Sequence, residues 1–172
     1  MSIVLIAIIL GSVCLDQLTK WLAVVYLQGN SSFPLWENVL HFTYWENDGA
    51  AFGMLADHRW VFMVTSTVAI IGIGIYLFGF CKESNYVKIS LAMIVGGGIG
   101  NMIDRIWLGY VVDFIDVRLI NFAIFNVADS FVTVGCFALI GYFVAEFIRE
   151  VKAERAKRTE ETEEKNDGNT PS

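Results

Sequence analysis

The chain has 172 residues, of which 55% are hydrophobic and 17% charged, and its mean hydropathy is +0.55. That is too apolar for a water-soluble domain of this length and points to a membrane protein. A formal net charge of −6 argues against a nucleic-acid partner. Cys14, Cys81 and Cys136 are isolated in apolar surroundings, with no CxxC pair, so they read as small core hydrophobes rather than disulfide or zinc partners.

Four stretches are long enough to cross a hydrocarbon core, which takes ~20 apolar residues. The first runs from about Ile3 to Leu27 and is interrupted only by Asp16 and Lys20. The N-terminus lacks the basic segment and small-x-small site of a signal peptide, so this stretch is read as a membrane helix. The loop that follows, Gln28–Arg59, holds aromatic and β-branched residues and the turn former "NDG". It predicts a small β-structured flap on the outer membrane surface, with Trp36, Tyr44, Trp45 and Phe52 in the interfacial belt.

The second span, Trp60–Cys81, carries no charge, and the short loop after it carries Lys82 and Lys88. The third runs from about Ile89 to Arg105, and the fourth, after a loop at Ile106–Phe125, from about Asn126 to Phe147. Beyond it come Arg149, Lys152, Arg155, Lys157 and Arg158. Basic residues mark cytoplasmic loops, which places both termini inside and both long loops outside. The tail from 151 to 172 is charged and loses apolar periodicity, so it is expected to be a helix extension fading into disorder.

Depth brings the polar residues together. At 1.5 Å per residue, Asp16 lies roughly 20 Å above the inner side, Asp104 about 22 Å and Asp129 about 27 Å, in a core ~30 Å thick. Asp16 and Lys20 share a helix face, as do Asn101 and Arg105, and the "GGGIG" before them permits close helix approach or leaves room for a substrate. Asn126 and Asp129 have capping-box spacing, which alone would account for polar residues at a helix start. Five aspartates (16, 104, 113, 116 and 129) nevertheless converge on one level, with only Lys20, Arg105 and Arg118 to balance them.

Surplus carboxylates at such a boundary can form an aspartic-protease dyad, hold a cation, or relay protons or ions. The inner halves, such as "IVLIAIILGSV" and "CFALIGYFVA", offer no polar path, which disfavours a carrier. A non-catalytic lipid- or lipopeptide-binding protein is the remaining alternative.

The strings "DQLTK" (Asp16–Lys20), "ENDGAAFG" (Glu46–Gly53), "GGGIGNMIDR" (Gly96–Arg105), "VVDFIDV" (Val111–Val117) and "FNVADS" (Phe125–Ser130) together resemble bacterial lipoprotein signal peptidase, signal peptidase II. The resemblance covers the chain to about Phe147. It implies an all-α polytopic fold of four transmembrane helices with a small external β-cradle at about 28–58, forming one peptidase domain over 1–150. It implies an aspartic endopeptidase that removes signal peptides from diacylglyceryl prolipoproteins, just before the lipidated cysteine, at the outer interface.

By motif, the catalytic pair is Asp113 and Asp129. Asp16, Lys20, Asn47, Asn101, Arg105 and Asn126 match the polar residues that orient the substrate, while Asp104 is expected to be a structural partner for Arg105 or a nearby donor. Asp113 is preferred to Asp116 by motif alone. Trp45 and Phe52 are expected to clamp the substrate from above. No metal or organic cofactor is expected. The expected setting is the bacterial plasma or inner membrane among its lipids, with both termini cytoplasmic, the site facing outward, a monomer sufficing and globomycin inhibiting.

Overall fold

The computed structural model describes residues 1–30, 32–49 and 59–167. Its elements, in order, are helix α1 (Ser2–Leu27), strands β1 (Phe33–Trp36) and β2 (Leu40–Asn47), helix α2 (Arg59–Ile75), helix α3 (Asn85–Trp107), strand β3 (Val111–Val117) and helix α4 (Val127–Asp167). Among the described residues, four helices are long and apolar enough to cross a membrane.

The helix ends follow local chemistry. At the start of α3 the Ser84 hydroxyl accepts from the Val87 N–H at 3.4 Å. The last turn of α2 widens into a π-turn, Tyr76–Phe80, closed by the Cys81 N–H on the Tyr76 carbonyl at 2.7 Å. At 41 residues, α4 is about 60 Å long, so it continues well past any hydrocarbon layer and through most of the charged tail.

The expected cradle is present, and it has a third strand. β1 and β2 form a hairpin whose turn places Asn38 at φ 61°, a left-handed conformation that asparagine tolerates. β3 pairs antiparallel with β2, in the order β1-β2-β3, with His41 opposite Asp116 and Trp45 opposite Asp113. "VVDFIDV", which the sequence placed in a loop, is therefore sheet. The N–H groups of Phe114 and Ile115 donate to the Phe125 carbonyl, and the Phe125 N–H returns to Ile115. That bridge lays the approach to α4 along β3, bringing Asn126 beside Asp113.

α3 is the hub, in contact with α1, α2 and α4. Its bare glycines make this possible, between them facing all three neighbours. A Cβ on Gly96 would stand 2.8 Å from Ser12 of α1, and one on Gly98 would stand 2.8 Å from Ile70 of α2. At Gly97 it would collide with the Ala128 carbonyl oxygen, one residue before Asp129, and at Gly100 with the Asp16 carboxylate. The small-residue run thus sets the distance between helices that carry polar residues.

Gly97→Ala must push α4 backbone, whereas Gly98→Ala meets only the flexible end of Ile70. Gly97→Ala should cost about 1–3 kcal/mol, as overpacking does, and Gly98→Ala less. Thermal unfolding of the two variants in detergent checks this; an equal loss would show that the α3–α4 contact has slack.

Candidate active site

A lysine inside a membrane span must be neutralised. Lys20 is 3% exposed, and its ammonium has three protons to donate. They go to Asp16 Oδ2 at 2.9 Å, Asp104 Oδ2 at 3.0 Å and Asn101 Oδ1 at 2.9 Å. Gln17 ties the same two carboxylates together, its Nε2 lying 3.2 Å from Asp16 and 2.9 Å from Asp104.

Each carboxylate also reaches backbone, Asp16 through its other oxygen and Asp104 through the oxygen that meets Lys20. Asp16 Oδ1 accepts the Ala128 N–H at 2.9 Å, and Asp104 Oδ2 accepts the Val112 N–H at 3.0 Å. Ala128 directly precedes Asp129, and Val112 directly precedes Asp113. One buried cation therefore holds, through two carboxylates, the residues before both aspartates that the sequence nominates as catalytic.

Asn126 joins those two side chains. Its Nδ2 donates to Asp113 Oδ1 at 2.6 Å, and its Oδ1 accepts the Asp129 N–H at 2.9 Å. The Asn126 N–H donates to Asp129 Oδ2 at 3.2 Å, which completes a reciprocal cap on α4. Asn101 donates to Asp129 Oδ1 at 2.7 Å, and Asn47, at the end of β2, donates to Asp113 Oδ2 at 2.8 Å. The Gly49 N–H on Asn47 Oδ1, at 3.1 Å, fixes which way that amide faces. In "FNVAD" the asparagine that caps α4 is also the one that joins Asp129 to Asp113.

Asp113 is almost wholly buried, while Asp129 is part-exposed and lines a cavity of about 270 Å³ between α2, α3 and α4. Arg105 shares that lining, with Ala69 and Ile70 opposite, and donates to the Asn101 carbonyl at 3.4 Å. Four carboxylates (Asp16, Asp104, Asp113 and Asp129) face two cations (Lys20 and Arg105), so two negative charges are in excess. Burial raises the Asp113 carboxyl to about 7, and the charge of Asp129 adds to the rise. The amide donors of Asn47 and Asn126 and the charge of Lys20 oppose it. Asp113 therefore keeps its proton to much higher pH than an ordinary carboxyl, which suits it to the acid role in a two-carboxylate site.

The structure separates Asp113 from Asp116, which lie three apart on a strand and so on opposite faces. Asp116 accepts from Arg118 Nε and from the Thr43 hydroxyl, both at 2.9 Å. It belongs to a polar cluster on the cradle with Ser32 and His41, so four aspartates converge on the site rather than five.

Of its two expected roles, Asp104 takes the one beside nearby donors, accepting from Lys20, Gln17 and the Val112 N–H rather than forming an ion pair with Arg105. Asp16 and Lys20, expected to orient substrate, are 0% and 3% exposed, and every Lys20 proton is committed, so they lie under the site rather than in its cavity. Asn47, Asn101, Arg105 and Asn126 do gather around the aspartate pair. Trp45 is exposed opposite Asp113 in the sheet register, while Phe52 lies outside the described residues. Gln17 went unnoticed because it is uncharged; its signal was an amide inside an apolar span, flanked by Asp16 and Lys20.

Comparison with known proteins agrees with this geometry. The profile of the family described as "Signal peptidase (SPase) II" matches residues 8–145. The lipoprotein signal peptidase of Caldanaerobacter subterraneus subsp. tengcongensis is 47% identical over 142 residues, 83% of this chain and 94% of that one. That of Brevibacillus brevis is 46% identical over 72% of this chain and 83% of its own. Two solved bacterial membrane enzyme structures superpose with TM-scores of 0.76 and 0.74, at 28% and 30% identity. They cover 84% and 81% of this chain, and 89% and 92% of theirs. With a full set of motifs, a matching fold and relatives of this identity over most of its length, the chain belongs to the signal peptidase II family.

Proposed function

We propose that this membrane protein is an aspartic endopeptidase that removes the signal peptide from diacylglyceryl-modified prolipoproteins, just before the lipidated cysteine. Asp113 and Asp129 are its catalytic pair. The observation that carries this reading is one asparagine amide holding a buried Asp113 and a more exposed Asp129. Asp129 lines a cavity between apolar helices, together with Asn101 and Arg105.

Asp129 takes a proton from water as the oxygen attacks the scissile carbonyl carbon, and Asp113 gives its proton to the carbonyl oxygen. In the collapse the C–N bond breaks, Asp129 hands its proton to the departing amine, and Asp113 recovers one from the hydroxyl. Arg105 and Asn47 flank the pair and hold substrate oxygens. Asp16, Lys20 and Asn126 hold the pair in place.

The cations Lys82, Lys88, Arg149 and Lys152 flank the end of the bundle away from the aspartates. By the positive-inside rule that end is cytoplasmic, so the site faces outward, where a signal helix ends. Residues 1–150 form the peptidase domain and 151–172 the cytoplasmic tail. One chain supplies every group named, so a monomer suffices, and globomycin is an expected inhibitor.

A gel-shift assay with diacylglyceryl prolipoprotein and purified protein tests the pair. Asp113→Asn and Asp129→Asn should each lower turnover by about 10²–10⁴-fold without loss of fold. Wild-type turnover in Asp129→Asn would reduce that residue to a helix cap.

Cleavage should also decline as pH rises through about 7, where Asp113 loses the proton it donates. Its pKa is raised above the unfolded value of 3.8, so the folded state carries a penalty that grows as pH rises from about 4 through 7. Asp113→Asn should therefore match the wild type in thermal stability near pH 4 and exceed it at pH 8, by on the order of a few kcal/mol. A stability difference that does not change with pH would contradict the raised pKa.

Lys20→Met leaves two buried carboxylates without their cation and should cost about 3–5 kcal/mol, with turnover lost alongside. Arg105→Ala should instead raise KM with the unfolding temperature nearly unchanged. Comparable destabilisation by the two variants would make Arg105 structural.

A further inference from the structure

We propose that the space between α1 and the underside of the cradle is a binding site for one acyl chain of a membrane lipid from the leaflet beside the cradle. The cavity is about 590 Å³, more than twice the size of the one at the aspartate pair, and it lies on another side of the bundle. Thr19, Leu22, Ala23 and Tyr26 form one wall, a single face of α1. Phe42 and Phe114, with ring centroids 6.2 Å apart, form the other.

Three observations identify the occupant as hydrocarbon. The lining offers water almost nothing: the Thr19 hydroxyl, at the deep end, is already spent on the Leu15 and Asp16 carbonyls at 2.9 Å each. The space is open at the surface of a bundle whose helices are apolar enough to cross a membrane, so lipid tails reach it directly. The cavity is also continuous with the exposed apolar surface of α1, where Leu18, Trp21, Leu22 and Val25 are 38–58% exposed on a helix that spans the membrane.

Polarity is graded along the site as it is along a lipid. From Thr19 to Leu27 the helical wall rises about 12 Å, and the turn to Asn30 closes it. At the cradle end stand Asn30, which donates to the Tyr26 carbonyl at 3.0 Å, and Gln28, Tyr44 and Glu46, linked at 3.4 and 2.9 Å. A chain lies in the lower part, with its ester and headgroup at that polar rim.

The position matters because Phe114 follows Asp113 in β3. Filling the cavity supports the strand from behind, at the residue next to the carboxylate. The occupant is a resident membrane lipid rather than the substrate's own chains, because the cavity lies apart from the one that Asp129 lines.

Native mass spectrometry of the full chain, released from detergent containing phosphatidylglycerol, tests the assignment without requiring cleavage, so its outcome is separate from that of the peptidase reading. The wild type should retain one lipid after the loosely held ones are stripped. Leu22→Trp, which projects into the space, should lower that retention at least 10-fold. Equal retention in the two proteins, or none in the wild type, would overturn the proposal. Added diacylglyceryl prolipoprotein should not displace the lipid; displacement would assign the space to substrate and overturn it as well. Should Leu22→Trp fail to fold, a photo-crosslinking benzoyl-phenylalanine in place of the exposed Phe33 should add a lipid mass to its peptide, and absence of that mass would be equally decisive.

Discussion

The structure depends on the ammonium of Lys20 being buried where it must be matched by charge. A cation in low dielectric draws carboxylates to itself, and Asp16 and Asp104 come from two different helices to meet it. Neither stops there: each uses a remaining acceptor on a backbone N–H of a third and a fourth segment. Four pieces of chain are thereby referred to one point, and the two that matter for chemistry are held one residue before their carboxylates. A pair built on a loop would lack this shared reference. Here Asp113 sits on a strand and Asp129 at a helix start, both held from beneath by the same ion.

The close approach this requires is provided by absence of side chain. Gly97 lies against the Ala128 carbonyl, and Gly100 lies against the Asp16 carboxylate. These are the same Ala128 and Asp16 that the ionic network joins. Packing and electrostatics thus act on one pair of groups, and neither suffices alone: without the glycines the carboxylate is too far away, and without the charges the glycine groove has nothing to select its depth.

Much of this was legible in the sequence, because it rests on local signals. Apolar length reveals four spans, and simple rise places Asp16, Asp104 and Asp129 at one level. Capping spacing relates Asn126 to Asp129. What was not legible depends on pairing across long separations. The strand character of "VVDFIDV" required β2 as a partner, some 68 residues earlier by the pairing of Trp45 with Asp113. The opposite facing of Asp113 and Asp116 follows from strand geometry, but which of them turns inward is set by that partner and by the bridge to Phe125. Helical spacing correctly joined Asp16 to Lys20. It could not reveal that Asn101 and Asp104 take the remaining protons and leave none for a substrate.

Asn126 carries a consequence of its own. The same side chain that opens α4 by accepting the Asp129 N–H also donates to Asp113. Aspartate or serine would serve as the cap, but neither presents an amide donor, so replacements tolerated for folding are rejected for chemistry. A position under two demands that overlap in so few residue types has almost no neutral neighbourhood. It would act as a fixed point while the surrounding helix surface drifts with the lipids it meets.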